Sequence, residues 1–217
     1  YYPIFLNVRN RRCLVLGAGQ VGMRKAENLV RSGAQVTVVS PVFSEKFCQQ
    51  DACMICKNKS YDDTDLEGMF LVFAATDNAE LNCRIQQDAR KKGLLCNVAD
   101  APDNSDFFLP STIEQGDLVI AVSTSGTSPA MARTIKNSLS RQFGPEYAVF
   151  LQLMGRLRSR LLAQNHSPDT HKNVFYRLID NNILELIKAG DEMKINAILH
   201  RVIGEQYCFQ DLISPKE

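Results

Sequence analysis

Arg12-Cys13-Leu14-Val15-Leu16-Gly17-Ala18-Gly19-Gln20-Val21-Gly22 is an apolar run that breaks into glycines. Arg12 to Leu16 is short enough to read as a buried strand, bounded by Gly17. Val21 to Arg31 then carries helical spacing through Gly22, Ala26, Leu29 and Val30 and stops before Gly33. Gln35 to Val39 is β-branched and apolar, a second buried strand of parallel type, and Pro41 closes it. The stretch is thereby predicted to form one complete βαβ unit.

Inside that unit Gly17-Ala18-Gly19-Gln20-Val21-Gly22 fits G-x-G-x-x-G. The motif alone is weak, but a strand before it and a helix after it give it the context of a dinucleotide-binding turn. Gly17 permits the tight turn, Gly19 lets the backbone approach a pyrophosphate, and Gly22 allows close packing of helix on strand. The helix N-terminus supplies N–H groups and a dipole for the anion. A glycine turn that binds nothing is the plainer alternative. At the end of the second strand, where an acid usually holds the ribose, stands Ser40. Serine can still hydrogen-bond a ribose, and positions 41 to 43 hold no Arg or Lys for a 2′-phosphate, which favours NAD over NADP.

Working outward, Ser44 to Met54 reads as a helix and Ile55 to Tyr61 as an edge strand. Met69 to Ala75 is a strand, Asn78 to Lys92 a helix ended by Gly93, and Leu94 to Val98 a strand. Such alternation predicts an α/β fold with a Rossmann-like, doubly wound parallel sheet. Phe107 to Ile113 and Leu118 to Ser123 read as two antiparallel strands, after which only helices follow: Pro129 to Phe143, Glu146 to Ala163, Ser167 to about Lys188, and one from Asp191. The expected divisions are 1–108 for the NAD-binding domain, 109–144 for a small dimerisation segment, and 145–217 for an all-helical C-terminal domain.

The 25 basic and 24 acidic side chains leave a net charge of +1, so no global field favours nucleic acid or an anionic membrane. No apolar run approaches the ~18–20 residues of a membrane span. The start, Tyr1 to Leu6, lacks the pattern of a secretory signal, and a cytoplasmic protein is expected. The seven cysteines form an odd, scattered set, which suggests reduced thiols. Cys48, Cys53 and Cys56, with Cys83, reproduce an iron–sulfur spacing, but Ser44 to Met54 has no Gly or Pro to let a loop wrap a cluster. The histidines at 166, 171 and 200 have no metal-ligand spacing. No resident metal is expected.

Asp100 follows a strand on the same sheet edge as the glycine turn, where open α/β sheets place ligands. It reads either as a general base or as an Asx turn before Pro102. Arg133, Lys136 and Arg141 face no acid between Pro129 and Gly144, and Arg156, Arg158 and Arg160 make a second basic cluster. Each is either a solvated face or a grip for a ligand rich in carboxylates.

Several stretches carry a more specific resemblance: Pro3-Ile4-Phe5, Cys13 to Gly19, Arg24-Lys25-Ala26, Ala74-Ala75-Thr76-Asp77, Cys96 to Pro102, and Ala121 to Pro129. On these residues the chain resembles the precorrin-2 dehydrogenase and sirohydrochlorin ferrochelatase family, which includes the N-terminal part of sirohaem synthase. The resemblance implies a cytoplasmic homodimer that oxidises a tetrapyrrole, precorrin-2, to sirohydrochlorin with NAD. It implies Asp100 as the catalytic aspartate, and Gln20-Val21, Pro41-Val42 and Thr76 as cofactor contacts beside Gly17, Ala18, Gly19, Gly22 and Ser40. It also implies that the 123–129 loop, with Ser123, Thr124 and Ser125, borders the active site; the charge pattern, not the resemblance, adds Arg133 and Lys136 as expected substrate contacts. Thr124 falls where some relatives carry a phosphorylated serine, which puts such regulation in doubt here. Two alternatives stay open: an enzyme that also inserts Fe2+, the iron then being a chelation substrate, and a nonenzymatic NAD-sensing module. At 217 residues, no methyltransferase domain is expected.

Overall fold

The computed structural model describes residues 1–43, 47, 54–99, 101–163 and 168–214, the side chains of 168–171 apart. Most of the helix expected at 44–54 therefore lies outside the described residues. The chain divides into two compact units, Tyr1–Leu109 and Pro110–Glu217.

In the first unit, β1 (Arg12–Leu16), α1 (Gln20–Arg31) and β2 (Gln35–Ser40) realise the βαβ unit. They are followed by β3 (Met54–Asn58), β4 (Leu71–Ala74), α2 (Ala79–Lys91) and β5 (Leu95–Val98). The strands pair in parallel in the order β3-β2-β1-β4-β5. Because side chains alternate across a strand, β1 feeds two cores. Cys13 and Val15 join Ala26, Leu29, Val36, Val38 and Phe73 on one face. Leu14 and Leu16 join Val39, Val72, Ala74, Ile85 and Ala89 on the other. Burial on both faces is why the central strands read as continuous apolar runs. This is a Rossmann-like, doubly wound sheet. Its strand order reverses between β1 and β4, and the crevice beyond their carboxyl ends is where such sheets hold ligands.

The edge strand β3 is anchored by a buried carboxylate. Asp65, with its side chain 3% exposed, accepts from Lys59 Nζ at 2.8 Å and from the backbone N–H of Asp62 at 3.1 Å. The strand expected from Phe107 begins only at Ser111. Phe107 packs edge-on against Phe73 at 5.4 Å, and its carbonyl accepts from Asn97 Nδ2 at 2.8 Å, so it completes the first unit instead.

In the second unit, β6 (Ser111–Gln115) and β7 (Leu118–Val122) form an antiparallel hairpin against which α3 (Pro129–Gln142) packs. Five further helices follow: α4 (Glu146–Ala163), α5 (Pro168–Asp180), α6 (Ile183–Ala189), α7 (Glu192–Ile203) and α8 (Phe209–Ile213). They enclose Leu153, Leu157, Leu178, Ile183, Ile195, Leu199 and Leu212. The single helix expected to run to Lys188 is two, since Asn182 adopts a left-handed conformation (φ 55°) that a continuous helix excludes. Among the described residues, no helix is long and apolar enough to cross a membrane.

Candidate functional site

At the carboxyl end of β1, Gly17 has φ +104°, and a Cβ there would overlap the carbonyl of Ala75. A Cβ on Gly22 would overlap the carbonyl of Gly17. Both positions are closed to any larger residue. Gly19 differs, because a Cβ added to it would meet nothing within 4 Å. Gly19 is also the N-cap of α1; it makes no side-chain cap, and no acid stands in the first turn. The helix therefore offers its first N–H groups and positive dipole end to open space, as a pyrophosphate requires. The turn fits a dinucleotide: a Cβ at Gly19 would occupy the approach that the phosphates need.

Around the turn, Val42 is exposed and Ser40 is buried. The Ser40 hydroxyl donates to the carbonyl of Val42 at 2.8 Å, so it is engaged by its own loop rather than turned outward. Thr76 follows β4 beside Gly17 and is clamped by Asn82 of α2. Asn82 Oδ1 accepts from the Thr76 hydroxyl at 2.7 Å and its backbone N–H at 3.2 Å, while Asn82 Nδ2 donates to the Thr76 carbonyl at 3.1 Å. Asp100 lies outside the described residues. Its neighbour Ala99 donates its N–H to Ala74 at 2.9 Å, which brings the chain after β5 to the end of β4.

Sequence reasoning passed over two polar residues that the fold buries here. Asn82 shares its helix face with Ile85 and Ala89. Lys25 shares the face of Gly22, Ala26 and Leu29, and its Nζ donates to Asn97 Oδ1 at 2.6 Å while lying 5.1 Å from the Phe73 ring centre. The available signal was a polar side chain at apolar helical spacing.

In the second unit, the loop 123–129 is braced internally. Thr124 Oγ1 donates to the Ser128 carbonyl at 3.0 Å and accepts the Ser128 N–H at 3.1 Å; Ser128 Oγ caps α3 by accepting from Met131 N–H at 3.2 Å. Ser125 holds φ +53° next to Gly126 at +84°, and Ser123 Oγ accepts its N–H at 3.1 Å. An open cavity of about 500 Å³ is lined by Ser111, Pro129, Ala130, Arg133 and Lys136. Neither cation forms an ion pair among the described residues. The other basic cluster has a different use: Arg156 donates to the carbonyl of Ser214, and Arg160 to that of Asp211 at 3.3 Å, so both close the end of α8.

Cys48 and Cys53 lie outside the described residues, as does His166. Among the described residues, no group of three or more His, Cys, Asp or Glu side chains could hold a metal ion. Burial pushes the thiols of Cys13 and Cys96 up to about 11 and about 12, which makes both poor nucleophiles.

A sheet of this order, with an uncapped glycine turn at its switch point, defines a dinucleotide-binding Rossmann protein. A family described as "Putative NAD(P)-binding" matches residues 4–111, and one described as "Sirohaem biosynthesis protein central" matches residues 115–142. The chain is 33% identical over 205 residues to a siroheme synthase of Nitrosococcus oceani, covering 94% of this chain and 44% of that protein. It is 30% identical over 208 residues to a siroheme synthase of Salmonella paratyphi B, covering 94% and 46%. The chain thus spans less than half the length of these relatives. A solved structure titled SirC, precorrin-2 dehydrogenase, shares the fold with a TM-score of 0.78 and 24% identity, over 95% of this chain and 100% of that one. Along 94% of its length the chain is thus similar to siroheme synthases, and its residues 115–142 match their central family.

Proposed function

We propose that this chain is an NAD-dependent precorrin-2 dehydrogenase that forms sirohydrochlorin in sirohaem synthesis. The observation that carries the reading is the uncapped N-terminus of α1 above the open space at Gly19, in a chain aligned with siroheme synthases over 94% of its length. The reaction removes two electrons and two protons from the macrocycle: one hydride passes to the nicotinamide and one proton to a base. Bound NAD supplies the hydride acceptor. Gly17, Ala18, Gly19, Gln20, Val21 and Gly22 seat its pyrophosphate. Pro41 and Val42 border the adenosine, with Ser40 shaping their loop, and Thr76 stands toward the nicotinamide half.

Asp100 takes the proton, since no histidine occurs in the first unit to do so. Ser123, Thr124 and Ser125 border the tetrapyrrole, and Arg133 and Lys136 grip its peripheral carboxylates. The protein works as a cytoplasmic homodimer through residues 109–144. Val119, Met131 and Ile135 of the hairpin and α3 stay exposed, more apolar surface than so small a segment can bury itself. Mixing protein, NAD+ and precorrin-2 tests the activity: NADH and the sirohydrochlorin spectrum should rise together, and an unchanged spectrum sinks the reading. Light scattering at micromolar concentration tests the dimer, and a monomer counts against it.

A further inference from the structure

Lys25, six residues past Gly19 on α1, is 8% exposed and has no carboxylate paired with it among the described residues. From its own helix the charged neighbour is Arg24, which repels it. β4 presents the Phe73 ring and β5 the Asn97 amide oxygen. The return at 105–109 presents Phe107, whose carbonyl fixes the Asn97 amide so that its oxygen faces Lys25. The acid of that return, Asp106, is turned to the Cys96 N–H at 2.9 Å and to Arg90 at 3.5 Å. Burial, and after it Arg24, pull Lys25 down to about 8. A buried ammonium usually has a carboxylate or gives up its proton; this one has an amide oxygen and a ring face.

We propose that Lys25 is a cofactor-binding electrostatic residue: its positive charge, paired with no carboxylate among the described residues, attracts the pyrophosphate seated at the glycine turn, and the arriving anion draws a solvent proton onto Lys25. The inference rests on the NAD reading above. Six residues of helix place the Cα of Lys25 about 9 Å along the axis from Gly19. At a separation of roughly 10–15 Å and an effective dielectric of about 20, one charge pair corresponds to about six- to sixteenfold in affinity. Below about pH 7 Lys25 is protonated with or without cofactor, and binding is tightest. As pH rises through 8 the free protein loses its proton first, so affinity falls until Lys25 is neutral in both states.

Calorimetry of NADH binding at about pH 8.5, in two buffers of different ionisation enthalpy, should show uptake of about half a proton. Fluorescence titrations should show affinity falling about six- to sixteenfold between about pH 7 and about pH 10. Lys25→Arg, ionised throughout, should bind NADH without uptake and without that decline. Lys25→Met should bind at the weak, high-pH level at every pH; if it fails to fold, the wild type and Lys25→Arg carry the test. Binding without proton uptake in the wild type, or equal uptake in Lys25→Arg, overturns the proposal and leaves the NAD reading intact. No NADH binding at any pH sinks both.

Discussion

Two helices, α1 and α3, each follow a turn rich in small residues, and they begin in opposite ways. α1 starts at Gly19 with no side chain over its first N–H groups, whereas α3 starts at Ser128, whose hydroxyl caps Met131 while Thr124 braces Ser128 from both sides. The first end is left open to a ligand, and the second is closed by the chain itself. Positive charge on α3 resides instead in side chains, Arg133 and Lys136, which line the cavity beside it. A turn rich in Gly and Ser does not by itself announce a phosphate site; what matters is whether the hydroxyls leave any N–H group unspent.

That contrast can be broken by experiment. The largest effect is expected at Asp100, two residues after β5 in sequence: Asp100→Asn should lower turnover by about 10²–10⁴-fold while NADH still binds. Wild-type turnover would remove its role as base, and loss of thermal stability would return it to an Asx turn. Next come the glycines. Gly22→Ala should destabilise by about 3 kcal/mol, the upper part of the overpacking range, because its Cβ has no room against the backbone of Gly17. Gly19→Val should leave the melting temperature near wild type and weaken NADH binding at least about tenfold. Equal behaviour of the two variants would undo the distinction between packing and ligand glycines.

The cationic pairs sharpen the other side. Arg133→Ala with Lys136→Ala should raise KM for the tetrapyrrole by about tenfold or more without moving the melting temperature. Arg156→Ala with Arg160→Ala should lower the melting temperature and leave KM alone, since those guanidinium groups serve the carbonyls at the end of α8. The smallest effect belongs to Ser128→Ala, about 1 kcal/mol of stability, read from chemical denaturation. The same substitution should not affect NADH binding.

Much of this was legible in sequence. The run Arg12 to Gly22 determined a strand, a glycine turn and a helix, because apolar period and glycine placement are local properties that the tertiary fold had no reason to override. Alternation to Val98 determined a parallel doubly wound sheet for the same reason. The break at Asn182 carried a weak signal, since Asp180-Asn181-Asn182 are residues that tolerate the left-handed region, but the apolar residues on either side keep a helical pattern and hide it; the structure places Asn182 in that region and buries Ile183 in the helical core. Nor could sequence say that Phe107 closes the first unit rather than starting a strand. Two basic clusters of equal appearance were also separated only by structure, which brought the carbonyls of Asp211 and Ser214 to Arg160 and Arg156 and left Arg133 and Lys136 facing a cavity. Lys25 is the sharpest case: its helical position was readable, but its burial against the Phe73 ring and the Asn97 amide oxygen, with no carboxylate paired to it among the described residues, was decided by β4 and β5, because burial and partnership are set by contacts distant in the chain.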